Sequence, residues 1–529
     1  MEKKKIQIWL PLLFSITMIA GMFLGYKMRD GIPGKKFFHV ENRRTVQEVM
    51  DIIERKYVDT VDMNTLSDTA VEALLAKLDP HSVYIPADDL QSANEEIAGN
   101  FFGIGVEFNL FNDTIHVLNV LKDGPSFKAG LQIGDQILKA DDSILSGKKI
   151  TTERIRKNLR GPLGSSLNLV LYRSGKTIQV KVARGIIPIS SVDAAYMMDN
   201  KIGYIRLNKF SKQTYREFME SLEALKKQGL QKLILDLRGN GGGVLDEAVE
   251  IADEFLEGDK LITYTEGSHS NKKEYRCRRQ GQFEKGALVV LTDEGSASAS
   301  EILMGALQDW DRATIIGRRS FGKGLVQEQF DLANRAALRL TVARYFTPVG
   351  RSIQRSYGNG GKLYYDEIFD RYNSGAMVSA DSVKNDSSKI YRTKAGKKIF
   401  GGGGITPDYF VGADTSTVGQ VSLQLFQKGL YSSLAYQYFL QNKARLFQYK
   451  TPATFARGFI LSDNDWKFFT TLSAKDSVKL AFVSPKEKIT ISKALTSYVG
   501  RQMFRAGGYF EIVNAEDATI KKAVEILNK

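Results

Sequence analysis

The chain has 529 residues, 74 Lys and Arg against 60 Asp and Glu, a formal net charge of +14 and one cysteine. That length implies roughly three or four domains with sizeable cores, and the lone Cys277 excludes an internal disulfide and a cysteine-based metal site. The basic residues are spread out, with no dense run interleaved with aromatics, which argues against a nucleic-acid partner; no HExxH or EF-hand pattern appears, so neither a metal nor an organic cofactor is expected.

Lys3, Lys4 and Lys5 precede an apolar run over residues 6–26. That run is long enough to span a hydrocarbon core of about 30 Å. Its flanks favour lysines in the cytoplasm and the rest of the chain outside. The spacing predicts a retained anchor over 1–29, with a cleaved signal peptide as the alternative because "IAG" stands near Ala20. In a bacterium the body would then be periplasmic, tethered to the inner membrane. Residues 30–44 read as a polar linker and 45–98 as helical.

Residues 99–185 read as a small β-rich domain. "GIGVEFNL" and "TIHVLNV" alternate like paired strands, 151–159 reads as a short helix, and "LNLVLYRSGKTIQVKVA" is a hairpin around Ser174-Gly175.

An α/β core follows. "KIGYIRLNKF" is its first clear strand, and the helix after it carries Thr214 and Glu217 at capping-box spacing. Residues 233–237 form a buried strand, 239–243 a glycine-rich turn, and a helix starts near Val244. No Lys-Ser/Thr follows the turn and the G-x-G-x-x-G spacing does not fit, so phosphate binding is disfavoured. The turn can instead offer backbone N–H groups to an oxyanion. Residues 287–292 are a second buried strand. From Ser298 the pattern turns helical, with Ile302, Leu303, Ala306 and Leu307 on one face. Ser298 thus sits at a helix N-terminus, where free N–H groups favour developing negative charge.

A serine needs a base, and none of the four histidines lies close to Ser298 in sequence. Lys323 stands between Gly322 and Gly324, with Gln327 four residues on. A neutral lysine can take the proton, but this requires its pKa to fall by roughly three units, or about 4 kcal/mol. Burial beside Phe321, Leu325 and Val326 could supply that, and Gln327 could aim the amine without adding charge.

Together "DLRGNGGG", "GSASASE", "GRRSFGKGLVQ" and "LTVARYFTPVGRSIQ" resemble the C-terminal processing peptidases, or tail-specific proteases. "VQEVMDIIERKYVD" and "LDPHSVYI" resemble that family's helical N-terminal part, "FFGIGVEF" to "LRGPLGSSLNLVLYRSG" its PDZ domain, and "GITPD" a later stretch. The resemblance implies a Ser-Lys serine peptidase with a crotonase- and Clp-like core. It implies Ser298 as nucleophile, Lys323 as general base and Gln327 as its orienting residue. Ala299 and a glycine of the turn, Gly242 or else Gly241, would supply the oxyanion N–H groups. Ser296 and Ser300 would be bystanders. The PDZ loop Phe102-Gly103-Ile104-Gly105 would capture a substrate C-terminus by strand addition.

The expected fold is therefore a multidomain α+β chain: transmembrane helix 1–29, linker and helical region 30–98, PDZ domain 99–185, and peptidase core 186–411 carrying an insertion over 356–400. A mostly helical tail over 412–529 closes it. The insertion is too long for an ordinary loop and would fold as an excursion or move as a lid. The tail has no assigned chemistry and is a place for homo-oligomer contacts or an adaptor. The expected partners are proteins with free C-termini and the membrane. Two rivals stay open: a membrane-tethered PDZ scaffold with a latent core, and a Ser-His-Asp protease using His81, His116 or His269.

Overall fold

The computed structural model describes residues 3–30, 40–148, 150–358, 361–382, 389–414 and 419–529. Residues 1–73 and 74–529 form two compact units. The first holds α1 (Lys3–Asp30) and α2 (Val40–Lys56), and α3 (Met63–Leu75) begins in it. Much of the linker expected over 30–44 lies outside the described residues, and α2 starts within it. Among the described residues no helix is long and apolar enough to cross a membrane; several side chains of the expected anchor lie outside them. Those of α1 that are described, Trp9, Phe14, Ile19 and Phe23 among them, are exposed.

The second unit opens with β1 (Val83–Ile85), so "LDPHSVYI" holds a strand where helix was expected, and α4 (Ala87–Ala98) follows. Asp79 creates the turn by accepting the N–H groups of His81 and Ser82 at 2.7 and 2.8 Å.

The β-rich domain contains β2 (Asn100–Gly103), β3 (Val106–Phe111), β4 (Thr114–Val120), α5 (Pro125–Lys128), β5 (Gln136–Ala140), β6 (Ser143–Ile144), α6 (Thr152–Leu159), β7 (Ser166–Arg173), β8 (Lys176–Ala183) and β9 (Gly185–Pro188). Strands β3-β4-β5-β7-β8 form one sheet with β6 on β5, while β2 pairs with β9. Alternating residues of β4 and β7 fill its interior, with Ile115, Val117, Leu169 and Leu171 fully buried. Thr151 caps α6 by accepting the Arg154 N–H.

The α/β core holds β10 (Val192–Met197), β11 (Ile202–Leu207), α7 (Thr214–Lys227), β12 (Lys232–Asp236), α8 (Leu245–Asp253), β13 (Leu261–Gly267), β14 (Ser270–Arg276), β15 (Ala287–Thr292), α9 (Ala299–Asp309), β16 (Thr314–Gly317), β17 (Leu325–Asp331) and β18 (Ala337–Phe346). The insertion contributes α10 (Gly361–Asn373), β19 (Ile390–Arg392) and β20 (Lys398–Phe400), and β21 (Tyr409–Phe410) returns to the core. One sheet has the order β10-β11-β12-β15-β16-β21, parallel from β11 onward. Its strands read as continuous apolar runs because helices cover them. The long strand β18 does not close this sheet. It joins β1, β13, β14 and β17 in a separate five-stranded sheet.

The expected Thr214–Glu217 capping box is absent. Gln213 holds the cap position, and Glu217 accepts the Ser191 N–H at 2.8 Å instead.

The tail is helical, as expected: α11 (Gln420–Gln427), α12 (Leu430–Leu446), α13 (Pro452–Gly458), α14 (Asp463–Ala474), α15 (Pro485–Asn514) and α16 (Ala518–Leu527). Leu434, Phe455, Phe469 and Leu495 build its own core. It also bridges two domains. Tyr436 stacks on Phe111 of β3 and donates to the Val117 carbonyl at 3.3 Å, while Ile520 and Ala523 pack beneath the parallel sheet with Ile234 and Val289.

Candidate active site

Parallel strands deliver their C-terminal ends to one edge, where sites in open α/β sheets form. Strand β12 delivers the glycine turn, β15 the Ser298 turn, and β16 the loop carrying Lys323. A cavity of about 540 Å³ lies there, lined by Gly241, Gly242, Gly243, Ser298, Ala299, Lys323 and Gln327. Phe210, Val244, Leu245 and Ile302 supply apolar wall.

Two of the three serines are consumed in tying the turns together. Ser296 Oγ donates to the Leu237 carbonyl at 2.8 Å and Ser300 Oγ to the Asn240 carbonyl at 2.9 Å. Ser298 faces the cavity, at φ 56° and ψ −115°. A serine held in that region costs of order 1–3 kcal/mol, and such strain collects at functional turns.

The oxyanion expectation needs a correction. The Gly242 N–H is spent on Asn240 Oδ1 at 2.9 Å. Phe210 donates to the Gly242 carbonyl and accepts from Val244, so the peptide N–H of Gly243 points the other way. Among the described residues, the N–H groups of Gly243 and Ala299 donate to no protein group. Gly242 is required for a different reason: a Cβ there would sit 2.7 Å from Ser298 Cβ.

Lys323 Nζ donates to Gln327 Oε1 at 3.1 Å, and Gln327 Nε2 donates to the carbonyl of His81. Burial pushes the lysine pKa down, Arg339 adds to the fall, and Glu301 and Asp79 oppose it. Leu325 and Val326 share the cavity with Lys323, as expected. Phe321 instead lies under Arg355, 3.9 Å from ring centre to guanidinium. Among the described residues no direct hydrogen bond joins Lys323 to Ser298; both open onto the same space.

Two residues not anticipated organise the pair. Glu301, fully buried, accepts the N–H groups of Ser298 (2.8 Å), Gly322 (2.8 Å) and Lys323 (2.9 Å) and the hydroxyl of Ser320 (2.5 Å). Burial outweighs these bonds and pushes its pKa up to about 7. The sequence held a signal, because Ser298 and Glu301 have S-x-x-E spacing. Tyr345 bridges from below, its hydroxyl donating to the carbonyls of Ser298 (3.1 Å) and Lys323. Nothing local to Tyr345 in sequence marks that role.

Among the described residues no histidine lines the cavity. The ring of His81 meets the Tyr364 hydroxyl at 3.0 Å, and burial, then Lys323, push its pKa down to about 4. His116 packs against Tyr436 in the β-rich domain, and His269 is exposed in the β13–β14 turn. Among the described residues no cluster of three or more metal-ligating side chains forms.

In the β-rich domain, Phe102 and Gly103 end β2, and Ile104 and Gly105 lead into β3. Gly105 has φ +75°, and the N–H groups of Ile104 and Gly105 have no partner among the described residues. Strand β3 ends its sheet, leaving an edge for an added strand. Arg160, just past α6, pairs with Glu95 of α4 at 2.6 Å and lies over the Phe101 ring.

Residues 201–360 match the model of peptidase family S41, and residues 103–183 match the PDZ domain. The chain is 37% identical over 351 residues to the carboxy-terminal-processing protease of Bartonella bacilliformis, covering 64% of this chain and 80% of that one. It is 33% identical over 391 residues to a probable CtpA-like serine protease of Staphylococcus aureus, covering 73% and 77%. Among solved structures, a photosystem II D1 C-terminal processing protease is 29% identical with TM-score 0.33, covering 58% of this chain and 89% of that one.

Proposed function

We propose a catalytic assignment for a chain that belongs to peptidase family S41 as a carboxy-terminal processing protease. It is a serine-type protease acting at protein C-termini, with a PDZ domain. In this reading Ser298 is the nucleophile and Lys323 the general base. One observation carries it: neighbouring strands of one sheet bring both side chains to one cavity, where burial favours the uncharged amine.

A neutral amine has two N–H bonds and one lone pair. Gln327 takes one N–H, which aims the lone pair at the serine proton. As Ser298 Oγ attacks the scissile carbonyl, Lys323 accepts that proton. The N–H groups of Ala299 and Gly243 hold the oxyanion, a contribution of about 3–4 kcal/mol per donor in comparable sites. The lysine ammonium then protonates the leaving amine. Water attacks the acyl-enzyme, with Lys323 again as base. The loop 102–105 and the free edge of β3 would receive the substrate C-terminus.

The N-terminal helix is proposed to anchor the chain in a bacterial inner membrane, with the body in the periplasm. The apolar run behind three lysines supports this. Alkaline extraction of membranes would release the full chain if that reading is wrong.

To test the assignment, residues 30–529 and their Ser298→Ala twin are incubated with an unfolded protein, and intact mass is followed. Cleavage by the parent alone, starting near the substrate C-terminus, is the expected result. Equal cleavage by both would sink Ser298 as nucleophile.

A further inference from the structure

Helix α10 lies in the insertion, beyond the residues matched by the family model. Its side chains converge on the loop that carries Lys323. The buried guanidinium of Arg371 spans three successive carbonyls: Ser320 at 2.7 Å, Arg319 at 3.2 Å and Phe321 at 3.4 Å. Arg371 Nε donates to Glu367 at 2.7 Å. The other oxygen of Glu367 accepts from Arg355 at 2.5 Å. Arg355 is sandwiched between the rings of Phe321 and Tyr364, and its backbone N–H donates to the Gly322 carbonyl at 3.0 Å. Tyr364 meets His81 on one side and Gln354 at 3.4 Å on the other, and Gln354 accepts the Gly324 N–H at 2.7 Å.

The loop needs such support. Lys323 stands between two glycines, so its own backbone has little intrinsic stiffness. The carbonyls of residues 319–322 and the Gly324 N–H are instead held from α10, directly or through one intervening residue, while Glu301 and Tyr345 take the Gly322 and Lys323 N–H groups and the Lys323 carbonyl. Glu367, Arg371 and Tyr364 do not line the cavity, so they act on the reaction through this loop and, for Tyr364, also through His81, whose carbonyl accepts from Gln327.

We propose that α10, beside Glu301 and Tyr345, sets Lys323 in place, with Arg371, Glu367 and Tyr364 as positioning residues. This rests on the reading of Lys323 as the base. Helix α10 is thus a buttress for the general base, not a lid over the cavity.

The test uses the full chain with Arg371→Met, Glu367→Gln and Tyr364→Phe, beside Lys323→Ala. Peptide cleavage is measured across neutral and alkaline pH, and a fluorophosphonate probe counts reactive Ser298. Arg371→Met should lower kcat by about 100-fold, with KM within about twofold of the parent and the final labelled fraction unchanged. The midpoint of the acid limb of kcat should rise, because a loosened Lys323 gains water and holds its proton more tightly. Added guanidinium should restore part of the rate. Glu367→Gln should move kcat and the midpoint in the same direction by less.

Two results overturn the proposal. One is parental kcat in Arg371→Met while Lys323→Ala is dead. The other is a loss of kcat matched by an equal loss of labelled Ser298, with the midpoint unmoved. If Arg371→Met does not fold, the near-isosteric Tyr364→Phe decides by the same readouts, with a kcat loss of about tenfold expected. Activity in Lys323→Ala would remove the base assignment itself, a separate failure.

Discussion

Glu301 and Asp236 are both sealed from water, in neighbouring strand-and-turn units of one sheet, yet they settle on opposite sides of the usual carboxylate range. Burial pushes Asp236 up as well, but Arg238 and Arg206 outweigh it and hold the group down at about 2. Arg238 binds both oxygens at 2.7–3.1 Å, Arg206 binds one at 2.9 Å, and the Tyr204 hydroxyl adds 2.7 Å. Among the described residues Glu301 has neutral donors only, and it rises to about 7. Partner charge, not depth, decides the outcome. Asp236 is therefore a fixed charge that anchors Arg238, which in turn pairs with Asp517 at the start of α16 at 2.8 Å. Glu301 changes charge near neutral pH, beside the one lysine that must shed its own.

The largest effect should separate chemistry from scaffold. Ser298→Ala and Lys323→Ala should each lower cleavage by about 10³-fold or more, with urea midpoints near the parent's. Full activity in either would break the dyad. Next comes Asp236→Ala, which removes the buried carboxylate that Arg206 and Arg238 share and should cost about 3–5 kcal/mol in urea unfolding. A loss under about 1 kcal/mol would mean that those cations are served by water.

The pH dependence of stability should carry both signs. The Glu301 pKa is raised from 4.5 to about 7, so the native state binds its proton more tightly than the unfolded chain does. That support is complete below pH 4.5 and is lost as pH rises through 7, about 3 kcal/mol in all. The Asp236 pKa is lowered from 3.8 to about 2, so its support is complete above pH 3.8 and is lost as pH falls through 2, about 2 kcal/mol. Denaturant titrations at a series of pH values should show both slopes. Glu301→Gln should flatten only the upper one; a parent curve already flat there would erase the contrast. The smallest change is Tyr345→Phe, which removes the hydroxyl bridging the two catalytic carbonyls. It should lower kcat by about fivefold to tenfold, in line with one hydrogen bond of about 1 kcal/mol, with KM held. A shift confined to KM would place Tyr345 in substrate binding.

Much of the site was legible because its signals are local. The strand at 287–292, the turn after it and the helical spacing from Ile302 place Ser298, and Gln327 reaches the Lys323 amine as its spacing suggested. What stayed hidden depends on distant chain. Choosing Gly243 over Gly242 requires the pairing with Phe210, which fixes the direction of each peptide. The role of Tyr345 depends on a second sheet that no periodicity announces. The insertion read as an excursion or a lid, and only the fold shows Glu367 and its arginines turned inward. The tail read as helical, but its contacts with the PDZ domain depend on β3 and β4 being in place. Glu301 was the avoidable miss, being written in a four-residue pattern.

The cross-chain support of the site also orders its birth. Strand β1 pairs with β18, Gln327 reaches back 246 residues to His81, and β21 joins the sheet only from Tyr409. Contacts closing such long loops form slowly. On a ribosome both reactive side chains emerge before the strand that completes their sheet. The enzyme thus carries its own delay: a nascent chain stalled short of Tyr409 should ignore a serine-directed probe that labels the finished protein.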